Sequence, residues 1–303
     1  MKALMKVHSF ARSPVFRFNS PVLRAGVTCA IIFGLAFGAW AVPARADTDW
    51  ALQFDGSTDF VVLNTTENII GSGWETTKSV SLWVKPTGPA PLCPNVDPGS
   101  CDLIFGDRPR WWGVSIGELN GLGINRIWVW NFDGNYDFVG FDYTPDEWVN
   151  VSLVHDNGNL QAYRNGVLMG TVPSGFTSLP GTYTPVLHIG GMISGPTKVA
   201  TFEGQIDNVS IWNRPLTQDE VVQNMFQALT GDEAGLKAYY RMSDGSGLSL
   251  TDDSQYDWNG SLRDGNQFLP GDGNPPQWVP STVPTDTVTT FSIFLPLVNN
   301  LVQ

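Results

Sequence analysis

Residues Phe202 to Leu216 (FEGQIDNVSIWNRPL) carry an alternation with a period of two. Ile206, Asn208, Ser210 and Trp212 fall on one side of an extended chain and Asp207, Val209, Ile211 and Asn213 on the other, between Gly204 and Pro215. A strand of this kind is not stable alone and needs neighbours and a covered face. Comparable short runs recur along the chain, separated by Gly, Pro, Asn and Asp. Leu52 to Leu63 reads as two strands about an Asp55-Gly56 turn, Ser79 to Lys85 as one strand, and Trp148 to Met169 as a hairpin with an Asn165-Gly166 turn. The one helical candidate is Thr217 to Leu229, with Thr217 as cap, Asp219 and Glu220 in the first turn, and Val221, Val222, Met225, Phe226 and Leu229 as its apolar stripe. An all-β chain follows. Asp207 is then an ionisable group inside a strand: it faces solvent near the strand end, or it needs a partner, for which a bound cation is one candidate.

The ends of the chain read differently from its body. Lys2, Lys6, Arg12, Arg17 and Arg24 precede an apolar run from Ala25 to Val42 and an Ala44-Arg45-Ala46 site, the pattern of a secretory signal cut after Ala46. The run approaches the length of a membrane span, so an uncleaved anchor is the alternative. Without residues 1–46 the chain keeps eleven Lys and Arg against twenty-nine acids, a formal charge of −18. Such a surface repels nucleic acid and anionic membranes. Cys93 and Cys101 are the pair left in an exported chain and are expected to bond across the loop Pro94 to Ser100. Residues 282–290 have linker composition, and the apolar tail 291–303 is too short to cross a bilayer. The folded body is therefore placed at 47–281.

The Phe54-Asp55-Gly56 turn, Ser79 to Pro86 (SVSLWVKP), Trp148 to Asp156, the Asn165-Gly166 hairpin and the closing strand at Asp207, in that order, resemble the laminin-G-like jelly rolls of the concanavalin A-like lectin and glucanase superfamily. The resemblance implies a two-sheet antiparallel jelly-roll β-sandwich with one short helix, in a secreted or cell-surface protein. It also implies a structural Ca²⁺ joining an acid after the first strand to one in the closing strand, which places the metal on Asp55, Asp59 and Asp207. Trp148 and Trp212 match framework positions and are expected in the core. The segment Gly235 to Met242 reads as a late edge strand that completes the sandwich, the alternative being the start of a second copy that no second Phe-Asp-Gly follows, with Gln277 to Pro280 as a final apolar clasp.

The most aromatic stretch suggests a ligand face. If Ile127 and Val129 fill the core, Trp128 and Trp130 stand on the opposite face, near Trp111, Trp112 and Arg126. Aromatic rings beside polar groups suit a sugar, whose C–H face stacks while its hydroxyls hydrogen-bond; the alternative is that these rings fill the sandwich. No Glu is followed by Asp two residues later, so the Glu-x-Asp-x-x-Glu strand of glucanases on this fold is missing. His155 and His188 have no neighbours suggesting a triad or zinc site. The reading is an exported, calcium-bearing, non-catalytic module for glycans or a cell-surface partner. The alternatives are a protein adhesion module on the same fold and a glycosidase or lyase without the usual motif.

Overall fold

The computed structural model describes residues 50–95, 97–108, 111–119, 121–177, 184–194, 197–265 and 273–284. The expected signal segment 1–46, most of the linker and the tail 291–303 lie outside them. Two eight-stranded antiparallel sheets pack face to face. The first contains β1 (Trp50–Asp55), β3 (Thr77–Pro86), β8 (Val149–Asp156), β9 (Asn159–Arg164), β10 (Val167–Pro173), β14 (Glu203–Trp212), β15 (Leu236–Tyr240) and β18 (Gln277–Pro280). The second contains β2 (Asp59–Thr65), β4 (Asp102–Arg108), β5 (Trp112–Ile116), β6 (Arg126–Phe132), β7 (Tyr136–Asp142), β11 (Val186–Ile189), β16 (Ser249–Leu250) and β17 (Gly260–Asp264). A ribbon of β12 (Gly191–Ser194) and β13 (Thr197–Thr201) stands apart. The fold is a concanavalin A-like jelly-roll sandwich. β1 and β2 lie in different sheets, so the Asp55-Gly56 turn is a corner between layers.

Sheet parity sorts the side chains as the sequence pattern requires. Val80, Leu82 and Val84 of β3 meet Ile127 and Val129 of β6 in the main core, along with Val149, Val151 and Leu153 of β8. On β14 the alternation breaks. Ile206 points into the core, but so do Val209 and Ile211, because a bulge lies between Asp207 and Ser210, where Asn208 has φ of 52°. The bulge also changes β14's partner. Its first half pairs with β1, Leu52 opposite Ile206, and its second with β15, Val209 opposite Tyr240, while β3 runs along its other edge.

Trp212 turns outward and is buried under α2 (Gln218–Phe226) with Leu216, Val221 and Tyr239. The helix has a capping box between Thr217 and Glu220. Arg214 holds Glu220 through two hydrogen bonds of 2.9 and 2.7 Å and thereby lowers its carboxyl to about 2. The helix stops at Phe226, before Leu229. A second, one-turn helix α1 (Thr66–Ile70) buries Ile69 and Ile70 and is capped by Thr65; five residues are too few to show a helical period in sequence. Beyond the expected boundary at 281, Val283 is buried against Trp83 and Met225, and Trp148 donates its indole N–H to Thr282 Oγ1 at 3.0 Å. The folded body thus continues through Val283.

One amine is buried in the core. Lys78 follows the inward parity of Val80 and is fully covered, with Nζ 3.3 Å from His155 Nδ1 and 5.6, 5.0 and 4.9 Å from the ring centroids of Trp74, Trp112 and Phe176. Burial lowers its pKa to about 7, with Asp107 opposing. Asp107, also fully buried, is pushed up to about 7 by desolvation, against the pull of the Trp111 and Trp112 amides it accepts. His155 is held to about 3 by burial and by Lys78, which keeps its imidazole neutral.

The bulge on β14 yields a direct test. Asn208 holds its left-handed backbone with Nδ2 donating to Asp207 Oδ1 at 2.9 Å and Oδ1 accepting from the Tyr239 hydroxyl at 3.1 Å. Asn208→Ala loses these bonds and adds about 1–2 kcal/mol of backbone strain; Asn208→Gly loses only the bonds. Urea denaturation should rank wild type above Gly and Gly above Ala. An Ala variant as stable as the Gly variant would show that the bulge is not what the backbone conformation serves.

Candidate functional site

The expected aromatic platform is filled by the chain itself. Trp128 and Trp130 do stand on the face of β6 opposite Ile127 and Val129, yet they are 2% and 0% exposed. A third layer covers them, made of the Cys93–Cys101 loop, Leu119 and the ribbon residues Met192 and Ala200, with Leu103 of β4 packed beside them. Their indole N–H groups are used internally, Trp128 donating to Gly117 O at 2.8 Å and Trp130 to Ser115 Oγ at 3.1 Å. Phe138 and Tyr136 meet the two rings edge-on at 5.6 and 5.7 Å. Gly140 lies so close to Trp128 that a Cβ there would collide with the ring.

Arg126 covers Trp128, its guanidinium 5.1 Å from the ring centroid, and is itself held by Leu122 O, Gly140 O and Asp142. Trp112 packs in the main core against Phe105 and Trp74, and Trp111 stacks on Phe132 at 5.9 Å. Each buried Trp removes about 150–250 Å² from water, roughly 4–6 kcal/mol at 25 cal/mol/Å². An open platform forgoes that stabilisation, and this chain carries the loop needed to gain it.

The disulfide between Cys93 and Cys101 is formed, with Cα atoms 4.5 Å apart. It closes the loop that lies over the Trp face. Replacing both cysteines with Ala should cost about 2–3 kcal/mol from loop closure, and hydrogen exchange should quicken at Trp128 and Trp130 before the main core. Uniform loss of protection would mean that the third layer has no separate stability.

The expected calcium ligands do not converge. Asp55 pairs in register with Glu203, so Asp207 lies four residues further along β14, roughly 13 Å away at 3.3 Å per residue. Asp207 is fully buried, accepts from Asn208 Nδ2 at 2.9 Å and from Ser281 Oγ at 2.6 Å, and holds the bulge. Asp55 folds its carboxylate onto the Ser57 and Thr58 amides at 2.7 and 3.2 Å, and Asp59 Oδ2 accepts from the Asp55 amide at 3.0 Å. Among the described residues no three His, Cys, Asp or Glu side chains are grouped to hold a metal. One calcium on Asp55, Asp59 and Asp207 does not fit this geometry.

Asp59 is nonetheless unusual. It is 1% exposed, its Oδ1 has no hydrogen-bond partner, and burial first, with Asp55 and Asp264 adding, raises its pKa to about 7. A folded pKa above the ordinary 3.8 means that the native state keeps a proton the unfolded chain has lost. The stability this group contributes is complete below about pH 4 and lost as pH rises through about 7. Asp59→Asn should leave stability unchanged at pH 4 and raise it at pH 8 by about 1–2 kcal/mol. The same change at both values would exclude titration of Asp59 as its origin.

A concave site does form beside the third layer. A pocket of about 220 Å³ opens between the corner at Gly56, the strand-linking segment Thr87 to Pro91, Asp102, Tyr143 and Glu203. Its walls are tied together by hydrogen bonds. The Gly56 amide donates to Phe202 O at 3.1 Å, Thr201 Oγ1 to Gly56 O at 2.9 Å, the Thr87 amide to Glu203 O at 3.1 Å, and the Tyr143 hydroxyl to Gly88 O at 3.2 Å. Glu118 donates its amide to Pro91 O at 2.8 Å, and Asn125 Oδ1 accepts from the Ala90 amide at 3.0 Å.

Gly56 has φ of 67°, and a Cβ there would stand 2.7 Å from Glu203 Cβ, so the corner admits the acid only because it has no side chain. Burial, with Asp146 nearby, pushes the Tyr143 phenol well above its ordinary range and keeps it a neutral donor. The pocket offers two carboxylates, hydroxyls, and Pro89 and Pro91 as apolar surface. Sequence reading missed it because its residues come from six separate places in the chain.

Residues 55–222 match a laminin-G-type family model described as the concanavalin A-like lectin/glucanases superfamily. The chain belongs to this superfamily. Among solved structures it is similar to a Bacteroides ovatus protein provisionally described as carbohydrate binding, with 17% identity and a TM-score of 0.54 over 72% of this chain and 58% of that one. It thus spans somewhat over half of that protein's length. It is also similar to a heptameric SAP-like pentraxin of Limulus polyphemus, with 14% identity and a TM-score of 0.42 over 59% of this chain and 83% of that one. A third is domain 4 of the extracellular arabinanase AbnA of Geobacillus stearothermophilus in complex with arabinotriose, with 21% identity and a TM-score of 0.37 over 49% of this chain and 67% of that one. None of the curated proteins compared by sequence matches. No described helix is long and apolar enough to cross a membrane.

Proposed function

We propose that this member of the superfamily is an exported, non-catalytic module that binds carbohydrate in the pocket between Gly56 and Glu203. The observation that carries the reading is the pocket's chemistry: exposed Glu203 and half-buried Asp102 beside hydroxyls, on walls already tied by backbone hydrogen bonds. A carboxylate accepts from two neighbouring sugar hydroxyls, and the two prolines give the C–H face of the ring an apolar surface. At about 220 Å³ the space falls below the 300–1,000 Å³ of drug-sized sites and suits one or two sugar residues. The description of the Bacteroides ovatus protein agrees with this reading. Export rests on the leader-like first 46 residues and on the acidic remainder.

The test is a melting series of the full chain with a glycan panel. A binder should raise the melting temperature in step with RT ln(1 + [L]/Kd). Glu203→Gln, at an exposed position, should change the unliganded stability by no more than about 0.5 kcal/mol and remove the glycan-dependent rise in melting temperature. A rise that persists in Glu203→Gln would move the ligand elsewhere. Two carboxylates in one pocket also favour a second reading, a glycoside hydrolase. Reducing-sugar release by the wild type that is lost in Glu203→Gln would establish it.

A further inference from the structure

We infer a second binding site, for uncharged sugars, where the loop between β15 and β16 meets the approach to β18. It is a recess of about 340 Å³ lined by Ser246, Leu248, Pro275, Pro276, Gln277 and Trp278, together with two loop glycines. The residues that build it lie beyond the segment 55–222 shared with the superfamily.

Three observations converge on its ligand. First, Trp278 is rigidly placed. It sits opposite Leu52 in the β1–β18 register and donates its indole N–H to Gly247 O at 3.0 Å. Trp278 is half-buried against the main core. With its donor used, the part of the ring that lines the recess offers apolar surface, to which a pyranose C–H face is complementary. Second, apolar and hydrogen-bonding groups share the same recess. Leu248, 43% exposed, and half-buried Pro275 extend the apolar surface, while Ser246 supplies a hydroxyl and Gln277 an amide oxygen. The Gln277 Nε2 is already held by Asn274 and Pro275.

Third, among the described residues no charged side chain lines the recess, in a chain of formal net charge −12. Among those residues a cationic ligand meets no carboxylate and an anionic one no base. What remains is a neutral ring with hydroxyls at its edge. Gly245 and Gly247, at φ of 67° and 87°, turn the loop tightly enough to close over the Trp50 and Trp278 side. The hydrogen bond from Trp278 to Gly247 O ties this loop to β18, which limits the ordering cost of binding.

The experiment is a titration of the ¹⁵N-labelled full chain with cellohexaose, xylohexaose and mannohexaose, with decaproline and polygalacturonate alongside. Each is taken to about 10 mM, enough to detect millimolar Kd. The Trp278 indole signal is identified by its loss in Trp278→Phe. We expect at least one neutral hexasaccharide to shift that signal saturably. The shift should persist in Glu203→Gln, which separates this site from the pocket at Gly56. In Trp278→Leu, which keeps an apolar side chain against the core, the Ser246 and Leu248 amides should no longer respond to the sugar. Three results would overturn the inference: no response to any neutral sugar, a response to decaproline or polygalacturonate alone, or a sugar response that vanishes in Glu203→Gln.

Discussion

The hydrogen-bond ladder of β14 holds the sandwich together. One edge of this strand is taken by β3 along most of its length, and the other is divided between β1 and β15 at the bulge on Asn208. Without the bulge the inward set would be Ile206, Asn208 and Ser210, and the core would receive two polar side chains in place of Val209 and Ile211. One left-handed residue restores the phase. Asp207, Asn208, Tyr239 and Ser281 form the polar clasp around it, which accounts for an acid in the middle of a strand without invoking a metal.

A third layer decides where a ligand has room. In a two-layer sandwich the outer face of β5, β6 and β7 is open, and the Trp pair on β6 would be its natural floor. Here a short cross-linked loop and the β12–β13 ribbon close that face and make a second small core from it. The loop's remaining edge, Thr87 to Pro91, then becomes one wall of a pocket at the rim. Concave surface is displaced from the sheet face to the seams between the sheet and its additions. The recess at Trp278 follows the same geometry on the other side of β1, where late strands have been laid along the sheet edge.

The fold was largely legible in the sequence because sheet parity is a strict code. Val80, Leu82, Val84, Ile127 and Val129 occupy the face their alternation assigns, and Thr217 caps α2 as its residue type predicts. The site was much less legible. Parity places Trp128 and Trp130 on the outer face correctly, but it is silent on whether another segment lies over that face. That depends on where the Cys93–Cys101 loop folds back, a long-range packing outcome with no local signature. The same limit separated Asp55 from Asp207: motif order puts both at strand ends or centres, while only the register, Asp55 opposite Glu203, shows how far apart they are.

The position of β1 bears on how the chain is made as well as on how it stands. This strand, near residue 50, is flanked on one side by residues near 205 and on the other by residues near 279. Neither neighbour exists while the first half of the chain is being synthesised, and closing loops of that length carries a large entropic cost before any ladder forms. β1 must therefore wait unpaired until the rest of the sandwich has emerged. The local hairpins β5–β6–β7 and β8–β9–β10 can pair as they emerge, whereas the first strand made is among the last to be closed into the sheet.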